Sequence, residues 1–136
     1  MRVLKERPPN YDEIVSVFPV VTTMQGVLYA YCDAIYNPDW VDIPQSLLAH
    51  EQVHLQRQSA NPAGWWTRYL IDEKFRFDEE LTAHCVEWAA IKNEPGPDRN
   101  YRRASLNMIA KRLSSPLYGS MVCFDTARKM IRDGAK

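Results

Sequence analysis

The sequence predicts an α+β domain, a short antiparallel sheet followed by about four to five helices. Three observations carry this. β-branched and aromatic residues concentrate in the first quarter of the chain, helical patterns fill the rest, and 136 residues suffice for a single core, so residues 1–136 are read as one domain.

Pro8-Pro9-Asn10 closes a polar N-terminal arm. Ile14–Phe18 and Val20-Val21 read as extended, interrupted by Pro19. After Gly26, the runs Val27–Cys32 and Ala34–Tyr36 are rich in strand-forming side chains, and Asn37-Pro38-Asp39 ends them in a turn. Two or three short paired strands are expected here. Asp42, followed by Ile43-Pro44, reads as a capped helix start, and that helix runs to about Ser59 before Asn61-Pro62. A second helix begins near Ala63 and carries Trp65, Trp66, Tyr69 and Leu70; a third spans about Phe77–Lys92. The loop Glu94-Pro95-Gly96-Pro97-Asp98 precedes a helix near Asn100–Leu113. Ser114-Ser115-Pro116 breaks the pattern, and Met121–Arg132 reads as the last helix.

Composition narrows the function classes. Hydrophobic residues at 46% and charged residues at 25% are ordinary for a soluble globular chain. No apolar run approaches the roughly 18 residues that span a bilayer, and Met1–Pro9 has no apolar signal region, so a cytoplasmic, non-membrane protein is expected. Cys32, Cys85 and Cys123 are odd in number and form no CxxC pair, which argues for reduced core thiols over a disulfide framework or a thiolate zinc site. Net charge is zero but uneven: residues 98–136 hold nine Lys/Arg against three Asp/Glu. Base-stacking aromatics are sparse there, which disfavours nucleic acid as a partner.

The most informative segment is His50-Glu51-Gln52-Val53-His54, an HExxH pattern using two of the three histidines. On a helix, positions i and i+4 share a face, so both imidazoles can reach one metal ion, with Glu51 beside them as a base for water. A catalytic zinc takes three protein ligands and keeps one open position. The third ligand is sought on the Phe77–Lys92 helix among Asp78, Glu79, Glu80, His84 and Glu87. Glu80, His84 and Glu87 share a stripe, whereas Glu79 is rotated about 100° from Glu80, so only one of that pair can face a given metal. Ala83 is small enough to let the two helices approach closely. Glu80 could instead pair with Arg76 or His84 along its own helix. Such a site would bind one Zn²⁺ and cleave an amide by metal-activated water, with Glu51 as general base. The tetrahedral oxyanion needs a further electrophile, and Tyr118, in the constrained Ser115–Gly119 loop, is the candidate.

Glu80-Leu81-Thr82-Ala83 after HExxH resembles the gluzincin branch of the zincin metallopeptidases, which pair HExxH with a glutamate on a following helix, as ExxA or ExxxD. Asp33-Ala34-Ile35-Tyr36 is similar to the family's edge strand before the motif helix. The resemblance covers roughly residues 27–90 and is closest to small single-domain bacterial or phage-encoded peptidases. It implies a zincin-like fold, His50, His54 and Glu80 as zinc ligands, Glu51 as base, and a peptide or protein substrate; separately, the strand Ala34–Tyr36 can pair with an extended peptide by strand addition. This chain has His84 where the ExxxD form has its aspartate, which leaves His84 as a supporting partner, a substitute ligand or a surface residue. The rival reading is an inactive zincin-like module that docks a partner through its basic C-terminal helices, since a chain this short has little material for a deep cleft. Trp65, Trp66 and Tyr69 are expected in the core rather than in a substrate wall.

Overall fold

Mixed α+β architecture, mostly helical, emerges in the computed structural model, which describes residues 1–134. Strand β1 (Arg2–Leu4) is followed by helix α1 (Tyr11–Val17), a 3₁₀ turn at Pro19–Thr22, and the strands β2 (Tyr29–Tyr31) and β3 (Ala34–Tyr36). Helices α2 (Gln45–Gln58), α3 (Pro62–Ile71), α4 (Glu73–Asn93) and α5 (Arg99–Leu113) come next. A second 3₁₀ turn at Pro116–Tyr118 leads into α6 (Phe124–Gly134). No helix among the described residues is long and apolar enough to cross a membrane.

The sheet departs from expectation in two ways. It is mixed rather than antiparallel, because β1, inside the arm read as irregular, pairs parallel to β3 with Arg2 opposite Ala34. The strand order is β1-β3-β2, so Ala34–Tyr36 is the central strand and not the edge. Ala34 and Ile35 are fully buried accordingly. The edge beside α2 is β2, which forms an antiparallel hairpin with β3 through Cys32-Asp33.

Ile14–Val17 lie in α1, Phe18 caps that helix, and Val20-Val21 lie in the 3₁₀ turn, so none of them forms the extended run expected. Tyr11, Ile14 and Phe18 recur at helical spacing and pack on one cluster with Tyr29, Trp65, Trp66, Tyr69 and Leu70. That burial outweighs the strand preference of the β-branched residues between them. Helix starts follow capping chemistry. Asp72 accepts from Phe75 N–H at 3.0 Å, which starts α4 at Glu73 rather than Phe77. Asp98 caps α5 in the same way, accepting from Tyr101 N–H at 2.8 Å. Asp42 does not cap α2; Pro44 occupies the cap position with no side-chain bond.

A second apolar cluster joins α4, α5 and α6 through Phe77, Trp88, Ile91, Ile109, Leu113 and Ile131. Between the clusters α2 lies along α4, the most extensive pairing of elements in the chain. Ala83 is fully buried in α4, in keeping with the close approach expected there. The cysteines are free, but Cys32 and Cys123 are exposed and Cys85 is half-buried, so they are not the core thiols expected.

One buried side chain ties α2 to the sheet. Gln58 Nε2 donates to Ala30 C=O at 2.7 Å, while its Oε1 accepts from Cys32 N–H at 2.9 Å. The amide thus occupies the β2 edge as a neighbouring strand would. Gln58→Ala leaves Cys32 N–H without this partner and is expected to cost about 1–3 kcal/mol in urea unfolding. An unchanged midpoint would contradict this pinning role.

Candidate metal centre

His50 and His54 lie one turn apart on the inward face of α2, and Glu80 faces them from α4; all three are buried. Their ligand atoms form a nearly equilateral triangle. His50 Nε2 is 3.2 Å from His54 Nε2 and 3.2 Å from Glu80 Oε2, and His54 Nε2 is 3.3 Å from Glu80 Oε2. Three atoms held about 2.0–2.1 Å from a tetrahedral zinc lie about 3.3 Å apart, against about 2.9 Å for right-angled ligands at the same bond length. The observed edges match the tetrahedral value. Glu80 Oε2 makes no directed hydrogen bond despite its short distances, so its lone pairs are spent on neither imidazole. A buried carboxylate oxygen in that condition is costly unless a cation sits at the shared focus. The three residues therefore fit a zinc ion, with no thiolate in the set.

Two of the three are aimed by other side chains, while His54 Nδ1 is buried without a hydrogen-bond partner among the described residues. Tyr69 O–H donates to Glu80 Oε1 at 2.7 Å, leaving Oε2 for the triangle. His50 Nδ1–H donates to Glu87 Oε1 at 2.9 Å, which puts the lone pair on Nε2, as support for a ligand histidine requires. His84 Nδ1 lies 3.1 Å from the same Glu87 oxygen and donates to it as well. Of the roles open to His84, the surface one is excluded, since the ring is fully buried with its centroid 4.6 Å from that of His50. His50, His84 and Glu87 also converge closely enough to hold an ion, but their contacts are ordinary N–H···O bonds and need none.

The choice between Glu79 and Glu80 is decided by their partners. Glu79 is turned toward Arg57 Nε and Trp65 Nε1, the latter at 2.8 Å, and is absent from the triangle. The pairing of Glu80 with Arg76 does not occur. Arg76 donates instead to Tyr69 C=O and Leu117 C=O, each at 3.1 Å, and lies over the Phe18 ring. It thereby fastens the Pro116–Tyr118 turn to α4. Gly119, in the left-handed region at φ 80°, ends that turn, and a Cβ there would meet Glu73 Oε2 at 2.9 Å.

A cleft of about 280 Å³ opens beside the triangle and is lined by His50, Glu51, Glu80, His84 and Tyr118 together with apolar residues of the cluster around Trp66 and Tyr69. This corrects the expectation that so short a chain lacks room for one. Trp66 and Tyr69 belong to the core as expected, yet they also line this cleft. Glu51 faces it with no hydrogen-bond partner among the described residues, and burial raises its carboxyl above the usual range despite the two imidazoles. Tyr118 is also pushed well up, by burial and then by the charges of Glu80 and Glu51.

No family model, curated protein or solved structure matches this chain. Two supporting residues were not legible as such in sequence. Glu87 stands on the Glu80 stripe, but nothing local distinguishes a ligand from a hydrogen-bond acceptor. Tyr69 reads as one more core aromatic, since its bond to Glu80 depends on how α3 crosses α4.

Without a cation, burial alone would lower His50, but the nearby carboxylates of Glu80 and Glu87 outweigh it and hold the imidazole well above 6.5. Burial alone would raise Glu87, but bonds from His50 and His84 bring it from 4.5 down to about 2. Glu87 thus stabilises the fold above about pH 4.5, and this is lost as pH falls toward 2. His50 stabilises the fold below 6.5, and this is lost as pH rises through its raised value. Urea unfolding of chelator-treated protein is expected to show both limbs, with Glu87→Gln flattening the acid one. An acid limb unaltered by that change would contradict the assignment.

Proposed function

We propose that this chain is a zinc-dependent hydrolase of gluzincin type, a minimal zincin-like domain that cleaves peptide (amide) bonds. The observation that carries the reading is the buried triangle of His50 Nε2, His54 Nε2 and Glu80 Oε2, with sides of 3.2–3.3 Å, beside an open cleft containing Glu51. Zinc, when bound, supplies an acidified water and polarises a carbonyl.

The chain's own groups do the rest. Glu51 accepts the proton of the attacking water at its carboxylate and returns it to the departing nitrogen. Burial raises the Glu51 carboxyl, which suits a group that must both take and give a proton. Tyr118 lines the same cleft, and its raised pKa keeps the phenol protonated, ready to donate a hydrogen bond to the substrate oxyanion. Glu87 and Tyr69 fix His50 and Glu80 so that binding substrate requires no rearrangement of the ligands.

Glu51→Gln is expected to retain one zinc per chain while peptide hydrolysis falls by about 10²–10⁴-fold. Undiminished hydrolysis by this variant would overturn the reading. Tyr118→Phe is expected to lower kcat by roughly 10²–10³-fold, as loss of one oxyanion donor does, with little change in KM. A change confined to KM would instead assign Tyr118 to substrate binding.

A further inference from the structure

Arg112, near the C-terminal end of α5, is the one Lys or Arg among the described residues that line the 280 Å³ cleft. It is exposed and has no hydrogen bond or ion pair through its side chain, unlike Arg57, Arg68 and Arg76, each of which is engaged by a carboxylate or by carbonyls. Its charge reaches Tyr118, where it opposes the upward push of the carboxylates. The other residues that line the cleft are largely apolar, with Phe18, Val21, Met24, Leu28 and Leu117 among them.

The lining differs toward His54, although Glu51, Trp66, Tyr69 and Glu80 border both spaces. There a pocket of only about 50 Å³ is bounded by His54, Trp65, Trp66 and Tyr69. The β2 edge beside it is already taken. Ala30 C=O accepts from both Gln58 Nε2 and Trp66 Nε1, and Cys32 N–H donates to Gln58 Oε1. An extended chain therefore finds no free strand edge at Ala30–Cys32. A small group fits on that side, and a bulkier one must lie in the larger cleft with Arg112.

We propose that Arg112 recognises a free carboxylate, and that the cleft takes ligands joining an apolar side chain to a C-terminal carboxylate, such as acylated amino acids and short peptide ends. This rests on the zinc reading above. Glu51 and Glu80 repel an anion from the metal-free cleft, whereas a divalent cation at the triangle offsets them and leaves Arg112 to attract it. A guanidinium matches a carboxylate with two parallel hydrogen bonds and offers far less to a neutral amide.

The test compares N-acetyl-leucine with N-acetyl-leucinamide, binding to zinc-loaded Glu51→Gln protein so that neither is consumed, by calorimetry. The acid is expected to bind about tenfold tighter or more, Arg112→Met on this background to abolish the preference, and Arg112→Lys to keep part of it. Equal affinities, or no binding of either compound, would overturn the proposal. A preference that survives Arg112→Met would also overturn it, by placing the carboxylate on the metal. Failure of the zinc reading shows separately as absent zinc uptake and removes both proposals; zinc uptake without an acid preference removes this one alone.

Discussion

The contact between α2 and α4 is polar where most helix pairs are apolar, and much of the structure is arranged to make that tolerable. His50, His54 and Gln58 form the inward stripe of α2, and Glu80, His84 and Glu87 form the facing stripe of α4, all of them buried. Removing such groups from water is costly unless every lone pair and proton finds a partner. Hydrogen bonds meet most of that demand: Gln58 to the β2 backbone, His50 and His84 to Glu87, and Tyr69 to Glu80. What they leave includes Glu80 Oε2, where it meets His50 Nε2 and His54 Nε2, and also His54 Nδ1 and His84 Nε2. A cation at that point would satisfy Glu80 Oε2 together with the two imidazole nitrogens that face it.

The surrounding elements serve this contact. α3 supplies Tyr69 to aim Glu80 and Trp65 to hold Glu79 away from it, so neighbouring glutamates on one helix have separate tasks. The buried Arg76 lacks a carboxylate partner and instead binds two carbonyls, one of them next to Tyr118. The loop bearing that phenol is thereby tied to the helix that bears Glu80. The cluster around Trp66 and Tyr69 lines the cleft, and Tyr118, which packs against the other cluster, also borders it.

The helical two-thirds of the fold was legible because Asn61-Pro62 and Glu94–Asp98 separate the helical runs and the HExxH spacing requires a helix, although α4 begins at its Asp72 cap and not near Phe77. The N-terminal third was less so. Arg2–Leu4 is too short to signal a strand, and it becomes one only by pairing with β3 some thirty residues away. Ile14–Val17 carries strand-forming residues but is drawn into a helix by the packing of Tyr11, Ile14 and the capping Phe18 on one cluster. In the site, the spacing of His50, His54 and Glu80 put those residues on converging faces, and the structure brings them together. The exclusion of Glu79, the part played by Glu87 and the existence of the cleft depend on contacts between elements that no local pattern encodes.

The central claim is that one cation occupies the focus of this triangle. Zinc-edge X-ray absorption on zinc-loaded protein and on its Glu80→Ala and His84→Ala variants tests it most directly. The account predicts a first shell of nitrogen and oxygen at about 2.0 Å without sulfur, changed by loss of Glu80 and kept on loss of His84. A protein that binds no stoichiometric metal, or a shell indifferent to Glu80 and altered by His84, would contradict it.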